Sequence, residues 1–349
     1  MAPRWPGEGT SMRYDLAITG SGGAAFAAAI TARDAGASVV MIERGTVGGT
    51  CVNTGCVPSK ALLAAAAARH GAGDQRFPGI ATQAGPVDMA ALTGGKDDLA
   101  AAMRAGKYTG LAADYGWQII AGTARFSGGP DAPVLQVRRG DGGTATVEAG
   151  QYLVATGAAP WIPPIGGLAG AGYLTSTTAM ELTELPESML VIGGNSVGLE
   201  LGQLFARVGA QVTLAEALDQ LAPSAEPEVS AAIEDVFDDE GIGILTAATV
   251  MSVLRDTTGR SVKIRTAAGR ERELAQSEIL VAAGRRPVSG GLGLEAVGVK
   301  AGPRGEIVTD EYQRTANPRI WAAGDVTGGP QFVYAAAAQG HPRRRQRPS

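Results

Sequence analysis

The stretch YDLAITGSGGAAFAAAITARDAGASVVMIE, residues 14–43, has the order of a strand, a glycine turn, a helix and a second strand. YDLAIT is short and apolar, and the alanine-rich segment after it suits a helix to about Ala35. SVVMIE is a second apolar run that ends at Glu43. This order predicts a β-α-β unit, the building block of a parallel sheet covered by helices.

Three small residues at the end of the first strand predict a dinucleotide-binding turn. Gly20, Gly22 and Ala25 form the pattern G-x-G-x-x-A. The first position permits a tight turn, the second lets backbone approach a pyrophosphate, and the third allows close helix–strand packing. Glu43, 23 positions after Gly20, can accept from a ribose hydroxyl. A plain turn in a glycine-rich chain is the alternative, but strand, helix and acid together favour a nucleotide site.

The stretch MLVIGGNSVGLELGQLFARVGAQVTLAE, residues 189–216, repeats the pattern. Its fingerprint positions are Gly193, Asn195 and Gly198, and Glu216 again follows the first glycine by 23 positions. Asn195 replaces the usual glycine. We expect the turn to tolerate it, because asparagine adopts unusual backbone angles more readily than most residues. Two such units predict that one chain binds two dinucleotides.

Three further apolar runs end in glycine turns. YLVATGAAPWIPPI (residues 152–165) and ILVAAGRRPVSG (residues 279–290) look like the crossings into and out of an inserted domain. IWAAGDVTGGPQFVYAAAA (residues 320–338) ends a strand near Asp325. That carboxylate either accepts from a cofactor hydroxyl or serves as a turn or capping residue.

This order of motifs predicts the domains. Residues 12–155 and 281–340 form one nucleotide-binding domain, and residues 156–280 form a second one inserted into it. The first eleven residues have no apolar core, so they do not resemble a signal peptide. Met12 is a plausible true start, and we expect residues 1–11 to be a short disordered extension. Residues 341–349 read as a basic disordered tail.

Composition excludes several classes of protein. The 349 residues suffice for two or three domains, and the net charge of −4 argues against nucleic-acid binding. No apolar run reaches the roughly 18–20 residues that a membrane span needs. Two cysteines in so long a chain do not make a secreted disulfide scaffold. We therefore expect a cytoplasmic protein with no nucleic-acid or membrane partner.

Both cysteines of the chain, Cys51 and Cys56, lie in GGTCVNTGCVPSKALL, residues 48–63. Buried thiols that pack as small apolar groups are one explanation. A structural zinc site is another, but two cysteines in a chain with almost no histidine supply too few ligands for it. A redox pair is the third, because a helix start favours the thiolate and the sulfurs can meet beside a flat ring. The two nucleotide units favour the redox pair.

With AAGDV at residues 322–326, these motifs resemble the pyridine nucleotide–disulfide oxidoreductases over nearly all of residues 12–340. Members of that family are FAD flavoproteins that carry electrons from NAD(P)H through the flavin to a cysteine pair. The resemblance implies an α/β fold of two doubly wound, Rossmann-like domains. It assigns residues 12–155 and 281–340 to FAD and residues 156–280 to NAD(P).

Within the family, GSGGAAFAAAI (residues 20–30) and GGPQFVYAAAA (residues 328–338) look most like the mercuric reductase group, which reduces Hg(II) to elemental mercury. Hg(II) is soft and prefers thiolate ligands, so Cys51 and Cys56 would bind it transiently as substrate. Two alternatives stay open. One is a dihydrolipoamide dehydrogenase-like enzyme that acts on a small thiol or disulfide, and the other is an FAD-binding remnant without turnover.

The resemblance implies a role for each matching residue. Cys51 is the distal thiol that meets the substrate, and Cys56 is the flavin-proximal thiolate that gives a charge-transfer band. Lys60 resembles the lysine beside flavin N5 and Glu200 its ion-pair partner; solvated surface charges are the alternative. Besides the glycine turn and Lys60, FAD contacts are implied for Ala25, Glu43, Gly45, Thr50, Ala124, Asp325 and Val333.

Glu216 predicts the preferred nicotinamide nucleotide. An acid at this strand end accepts from the ribose 2′-OH of NAD and repels the 2′-phosphate of NADP. Many mercuric reductases have a small residue and then an arginine here, whereas this chain has Glu216 followed by Ala217. We expect NADH to serve at least as well as NADPH.

The C-terminal sequence departs from the family pattern. Family members carry a third, interface domain that makes the homodimer and completes the active site, and we expect it to be missing here. After Gly340 the run HPRRRQRPS replaces the expected helix, and a one-base shift in GC-rich codons restores a family-like sequence. The sequence therefore predicts a truncated chain with impaired turnover.

Overall fold

The computed structural model describes residues 11–74, 77–257 and 259–341. The predicted extension 1–11 and basic tail 341–349 lie outside this part of the chain, apart from Ser11 and His341. Among the described residues, no helix combines the length and the apolar character needed to cross a membrane.

The strands of the described residues are mostly short, as expected for an α/β protein. In chain order they are β1 (Ser11–Thr19), β2 (Val39–Glu43), β3 (Gln118–Ala121), β4 (Thr123–Ser127), β5 (Val134–Arg138), β6 (Thr144–Val154), β7 (Ala158–Pro160), β8 (Ser188–Ile192), β9 (Gln211–Ala215), β10 (Gly243–Leu245), β11 (Thr249–Arg255), β12 (Arg260–Arg265), β13 (Glu271–Gln276), β14 (Glu278–Val281), β15 (Arg285–Pro287) and β16 (Ile320–Ala322).

The helices range from single turns to a helix of 18 residues. In chain order they are α1 (Gly23–Asp34), α2 (Gly49–Asn53), α3 (Cys56–Gly73), α4 (Met89–Arg104), α5 (Leu111–Tyr115), α6 (Leu168–Ala171), α7 (Ser176–Ala179), α8 (Ser196–Val208), α9 (Pro227–Asp239) and α10 (Val333–Gly340). A π-helical turn covers Ala105–Gly110, and short 3₁₀ turns cover Leu294–Val297 and Asp325–Thr327.

The chain divides into two compact units. The first is built from Met1–Asn53, Ala101–Ala159 and Arg286–Ser349, and the second from Thr54–Ala100 and Pro160–Arg285. This division differs from the predicted domains, because residues 54–100 group with the second unit. The reason is apolar burial: Leu62, Ala66 and Met89 belong to that unit's core, and α3 packs on α8. The predicted nucleotide assignment of each domain stays a prediction.

The first unit is organised by a seven-stranded sheet in the order β3-β2-β1-β6-β5-β4, with β16 also paired to β6. β3, β2, β1, β6 and β16 pair in parallel, while β4 and β5 add antiparallel pairings. α1 and α10 pack on each other. The carboxyl ends of β1 and β2 lead to the glycine turn and to Glu43 respectively, so the parallel sheet brings these two motifs together.

The second unit repeats this design on a smaller scale. Its parallel sheet has the order β10-β9-β8-β14, and the chain runs from β8 through α8 to β9 as the sequence predicts. An antiparallel sheet, β11-β12-β13, accompanies it. The amphipathic α8 buries Leu201, Leu204 and Phe205 in the core of the unit.

Both units begin their β-α-β motif with a glycine in the left-handed region. Gly20 has φ +99° and Gly193 has φ +111°. A Cβ on Gly193 would lie 2.6 Å from the Ala282 carbonyl oxygen, and a Cβ on Gly20 would overlap the Ala155 carbonyl in the same way. Each of these two positions therefore requires glycine for two reasons: the positive φ angle and the close approach of a neighbouring strand end.

A bidentate ion pair joins α8 to the end of α9 in the second unit. Arg207 donates from Nε to Glu240 Oε2 at 2.8 Å and from Nη2 to Oε1 at 2.5 Å. Both side chains are largely buried. Burial raises the pKa of Glu240, but the hydrogen bonds and charge of Arg207 outweigh burial and leave it below its ordinary value.

We predict that Glu240→Gln lowers the free energy of unfolding at pH 7 by about 1.5–3 kcal/mol, the range for a hydrogen bond to a charged group. Because the folded-state pKa of Glu240 is depressed, the stabilisation is complete above the unfolded value near 4.5 and is lost as pH falls through the folded value. Urea unfolding at pH 7 and at about pH 3.5 measures both effects.

The matched control is Glu148→Gln, which breaks the exposed 3.1 Å pair between Glu148 and Arg13. Exposed pairs contribute little, so its unfolding midpoint should match that of the unmutated chain. A Glu240→Gln defect that stays the same at acid pH would contradict the ionic explanation.

Candidate active site

The first glycine turn presents the amino end of α1. β1 ends at Thr19, Gly22 is the N-cap, and α1 begins at Gly23. Gly22 has no side chain to cap the helix, and the first turn carries no acidic residue. The backbone N–H groups of this turn and the positive end of the helix dipole therefore suit an anion such as a pyrophosphate.

The position of Gly22 tests whether the turn fits a dinucleotide. Its backbone is extended, with φ −83° and ψ −169°, which any residue adopts. A Cβ there would meet nothing nearer than Gly49 Cα at 3.9 Å. The fold itself therefore does not require glycine at this position. The open space beside the helix end fits a dinucleotide pyrophosphate.

Glu43 is fixed beside this turn by two hydrogen bonds. Ser21 Oγ donates to Glu43 Oε2 at 2.6 Å, and the Gly45 backbone N–H donates to Oε1 at 2.7 Å. A carboxylate oxygen accepts more than one hydrogen bond, so both keep capacity for a ribose hydroxyl. The structure thus brings Gly20, Glu43 and Gly45 together at one sheet edge, where the sequence placed an FAD site.

Glu216 is held in the same way in the second unit. Gly194 N–H donates to Glu216 Oε2 at 2.6 Å, and Leu218 N–H donates to Oε1 at 2.9 Å. In both units the acid thus accepts from its own glycine turn and from the N–H two residues further on. Glu216 is only 8% exposed, so its carboxylate also stabilises the turn.

The explanation given for Asn195 was wrong in its physical reason. Asn195 has φ −102° and ψ −179°, an extended conformation that needs no special tolerance. It is the N-cap of α8, and its Oδ1 accepts from the Ser196 N–H at 2.8 Å. Gly198 lies one turn later, with its Cα against the Gly193 carbonyl, where a Cβ does not fit.

The remaining predicted FAD residues occupy different environments of the first unit. Thr50 is exposed on α2, and Val333 is exposed at the start of α10. Asp325 is half-buried and opens the 3₁₀ turn after β16. Ala124 and Ala25 are buried, so their methyl groups pack in the core and only their backbone atoms can face a ligand.

The two cysteines lie on separate helices. Cys51 is partly buried in the five-residue α2, and Cys56 is exposed as the first residue of α3. Thr54 and Gly55 interrupt the helix between them. The helix start that the sequence analysis assigned to the cysteine motif therefore applies to Cys56 alone, the first residue of the 18-residue helix.

Lys60 and Glu200 form an ion pair across α3 and α8 in the second unit. Their side chains are 60% and 40% exposed, and pairs this exposed contribute only about 0–1 kcal/mol to stability. Lys60 lies one helical turn after Cys56. The pair therefore contributes little to the stability of the fold. Its main effect is to fix the Lys60 ammonium group on the helix turn that follows Cys56.

Sequence reasoning missed three polar residues of the first unit: Ser21, Asn53 and Arg104. Ser21 is buried and links Glu43 to the Gly48 N–H, and Asn53 accepts from Arg104. Ser21 and Asn53 lie inside the quoted motifs, so the motifs alone could have drawn attention to them. Arg104 is distant in sequence from every motif and carries no such signal.

Comparison with known proteins agrees with this geometry. Residues 14–340 match the family described as pyridine nucleotide-disulphide oxidoreductase. The chain is 60% identical over 328 residues to the mercuric reductase of Streptomyces lividans, covering 94% of this chain and 68% of that protein. It is 45% identical to the mercuric reductase of Staphylococcus aureus, covering 94% of this chain and 58% of that protein.

Solved structures show the same architecture. The Cu(II) complex of the HOCl-induced flavoprotein disulfide reductase RclA from Escherichia coli superimposes with a TM-score of 0.82 at 29% identity, covering 94% of this chain and 69% of that one. LpdA from Mycobacterium tuberculosis gives a TM-score of 0.82 at 30% identity, covering 94% and 71%. The chain thus spans between one half and about two thirds of the length of the mercuric reductases cited here and of one from Bacillus cereus.

The open space at Gly22 gives a test of the nucleotide turn. We predict that Gly22→Ala leaves the melting temperature of the flavin-free chain unchanged but weakens FAD binding, because the added methyl group enters the space beside the helix end. Gly20→Ala, in contrast, should destabilise the chain itself, because its φ is +99°. Thermal melts and FAD titration by fluorescence separate the two effects. Unchanged FAD affinity in Gly22→Ala would contradict the assignment of this turn.

The comparisons confirm the predicted α/β fold with Rossmann-like domains. They also confirm the expectation of an enzyme that uses FAD and a nicotinamide nucleotide, since these are the cofactors of the family. The chain belongs to the pyridine nucleotide-disulphide oxidoreductase family of FAD- and NAD(P)H-dependent enzymes.

Proposed function

We propose that this chain transfers two electrons from NAD(P)H to Hg(II) through the cysteine pair Cys51 and Cys56. One observation carries the proposal: an exposed cysteine at the start of a long helix is followed one turn later by a lysine paired with Glu200. The chain that holds this arrangement is 60% identical to a mercuric reductase over 328 residues.

The proposed reaction balances with one nucleotide for each metal ion. NAD(P)H and Hg(II) give NAD(P)⁺, a proton and Hg(0). Before turnover, one further NAD(P)H and a proton from solvent reduce a Cys51–Cys56 disulfide to two thiols. These bind Hg(II) as thiolates with release of two protons, and the next NAD(P)H supplies the two electrons that reduce the bound ion. FAD, when bound, supplies the two-electron relay between the nicotinamide and the disulfide.

Each protein group has a physical task in this scheme. Cys56 is exposed and occupies the first position of α3, at the amino end of the helix. Lys60 adds a positive charge to the same helix turn, and Glu200 fixes its position. Thiolates are the ligands that soft Hg(II) prefers, so the reduced pair binds the metal ion as substrate before it is reduced.

The two glycine turns divide the cofactors between the units. In the proposal the first turn, with Gly20, Gly22 and Glu43, binds FAD, aided by the C-terminal residues Asp325 and Val333. The second turn, with Gly193, Gly198 and Glu216, binds the nicotinamide nucleotide. The symmetry of the two acid–turn contacts supports two similar ligands.

We predict that anaerobic NADH exposes two thiols for each chain and that the reduced chain then retains one Hg(II). Cys51→Ala and Cys56→Ala should each abolish both responses and leave the melting temperature unchanged. Thiol titration under denaturing conditions and metal analysis after gel filtration measure this half-reaction, and release of Hg(0) vapour measures the full one. The half-reaction remains measurable even if the predicted impairment of turnover holds.

In the same experiment, long-wavelength absorption of the reduced chain should disappear in Cys56→Ala and be altered in Lys60→Met. Persistence of that band without Cys56 would refute its assignment as the flavin-proximal thiolate. Turnover of lipoamide without Hg(II)-dependent NADH oxidation would favour the dihydrolipoamide dehydrogenase alternative. Bound flavin that NADH does not reduce would favour the remnant.

We predict that NADH reduces the chain at least as efficiently as NADPH. Glu216 lies at the end of β9 with its carboxylate held against the glycine turn, where it would repel a 2′-phosphate. Stopped-flow reduction with each nucleotide gives the ratio of the two second-order rate constants. A strong preference for NADPH would be the contrary result.

A further inference from the structure

Side-chain contacts hold the short helix that carries Cys51. α2 has five residues, and isolated helices shorter than about 12–15 residues are marginal in water. The position of α2 therefore depends on its tertiary contacts. Two residues supply polar ones: Asn53, the last residue of α2, and Arg104, the last residue of α4.

The Asn53 carboxamide ties the end of α2 to the loop before it. Its Nδ2 donates to the Gly49 carbonyl at 2.9 Å and to the Val47 carbonyl at 3.0 Å, and it lies 3.3 Å from the Thr46 carbonyl. Both amide hydrogens thus have acceptors within the same loop. The result is a closed segment, residues 46–53, with Cys51 near its end.

Arg104 fixes the orientation of that carboxamide. Its Nη1 donates to Asn53 Oδ1 at 2.8 Å. Because the guanidinium can only donate, it holds the oxygen of the amide toward itself and the nitrogen toward the loop carbonyls. Hydrogen bonds from a charged donor are roughly twice as strong as neutral ones. We call Arg104 and Asn53 the bracket.

A π-helical turn, Ala105–Gly110, follows α4 directly and packs on the same loop. π-Helical turns occur frequently at functional sites. The Tyr108 ring lies 3.4 Å from where a Cβ on Gly48 would be, and it contacts Phe26 edge-to-face with ring centroids 4.9 Å apart. The Gly48 N–H donates to Ser21 Oγ at 3.1 Å. The loop before α2 is therefore held from several sides.

We propose that Arg104 and Asn53 are positioning residues that hold Cys51 in place for its redox and metal-binding chemistry. The proposal rests on the proposed function, in which Cys51 is a redox-active thiol. Both residues act through the backbone of α2, and neither is assigned a contact with the reacting atoms. The bracket and Cys51 all lie in the first compact unit, whereas Cys56 lies in the second. The bracket should therefore control one cysteine and not the other.

The test compares the alkylation rates of the two cysteines in the full chain as purified. Cys56→Ser leaves Cys51 as the only thiol, and Cys51→Ser leaves Cys56, so iodoacetamide labelling followed by mass spectrometry reports each one separately. In the first background, Arg104→Met and Asn53→Ala should each raise the Cys51 rate by about 10- to 100-fold. That is the factor by which loss of a hydrogen bond to a charged group shifts a local opening equilibrium. The Cys56 rate should not change.

Arg33→Met is the matched control. Arg33 lies in the same unit and donates to the carbonyls of Tyr115 at 2.8 Å and Ala37 at 2.9 Å, so its loss also removes arginine hydrogen bonds. It should leave the Cys51 rate unchanged. If Arg33→Met accelerates Cys51 as much as Arg104→Met does, or if both cysteines accelerate together, the bracket is only a general stabiliser and the proposal fails.

Two conservative variants keep the test valid if Arg104→Met folds poorly. Arg104→Lys retains a charged donor and should restore part of the protection of Cys51. Asn53→Asp keeps a partner for Arg104 but loses the N–H donors to Val47 and Gly49, so it should accelerate Cys51. Circular dichroism checks that each variant is folded. If the alkylation rate of Cys51 stays unchanged in both Asn53→Ala and Asn53→Asp, the proposal is overturned.

A second measurement separates this proposal from the proposed function. With both cysteines present, equilibration in glutathione buffers gives the effective concentration of one thiol at the other. Arg104→Met should lower it by about tenfold, because a less fixed Cys51 is less pre-organised for bonding. If the unmutated chain forms no Cys51–Cys56 disulfide, the proposed function fails while the alkylation rates still decide the bracket. An unchanged disulfide equilibrium in Arg104→Met refutes the positioning role.

Discussion

The close approach of backbone to backbone where a strand meets a helix is the constraint on which both units depend. At Gly20 and Gly193 the chain turns with positive φ against the carbonyl that ends a neighbouring parallel strand, Ala155 or Ala282. No side chain fits between them. In each unit the helix therefore begins beside the strand ends and presents its first N–H groups at that edge of the sheet. No side chain caps α1, whereas Asn195 caps α8 through the Ser196 N–H.

A buried or half-buried carboxylate completes each turn. Glu43 and Glu216 both accept from their own glycine turn and from the N–H two residues further along the chain. The same contact in both units shows that the acid holds the glycine turn in shape. In the proposed function the same carboxylate also binds the ribose, so nucleotide recognition and the stability of the turn would depend on one group.

The segment that carries the two cysteines is held by contacts of a different kind. Cys56 begins a long helix whose apolar side chains belong to the core of the second unit, while Cys51 lies on a helix too short to be stable alone. The helix that bears Cys51 relies on hydrogen bonds from Asn53 and, through it, from Arg104. The two cysteines thus depend on separate sets of contacts: α3 on its apolar core residues, and α2 on the buried Val52 together with the hydrogen bonds of Asn53.

The sequence by itself determined the local geometry: strand, glycine turn and helix at residues 14–43 and 189–216, the acids Glu43 and Glu216, and the Cys56–Lys60 spacing. These features depend on neighbours along the chain, so their pattern can be read directly. The tertiary structure decided what depends on distant residues. It placed residues 54–100 with the second unit through apolar burial, paired Lys60 with Glu200 across two helices, and brought Arg104 to Asn53. Contacts between residues far apart in sequence leave no periodic pattern, because only the folded chain brings their side chains within reach.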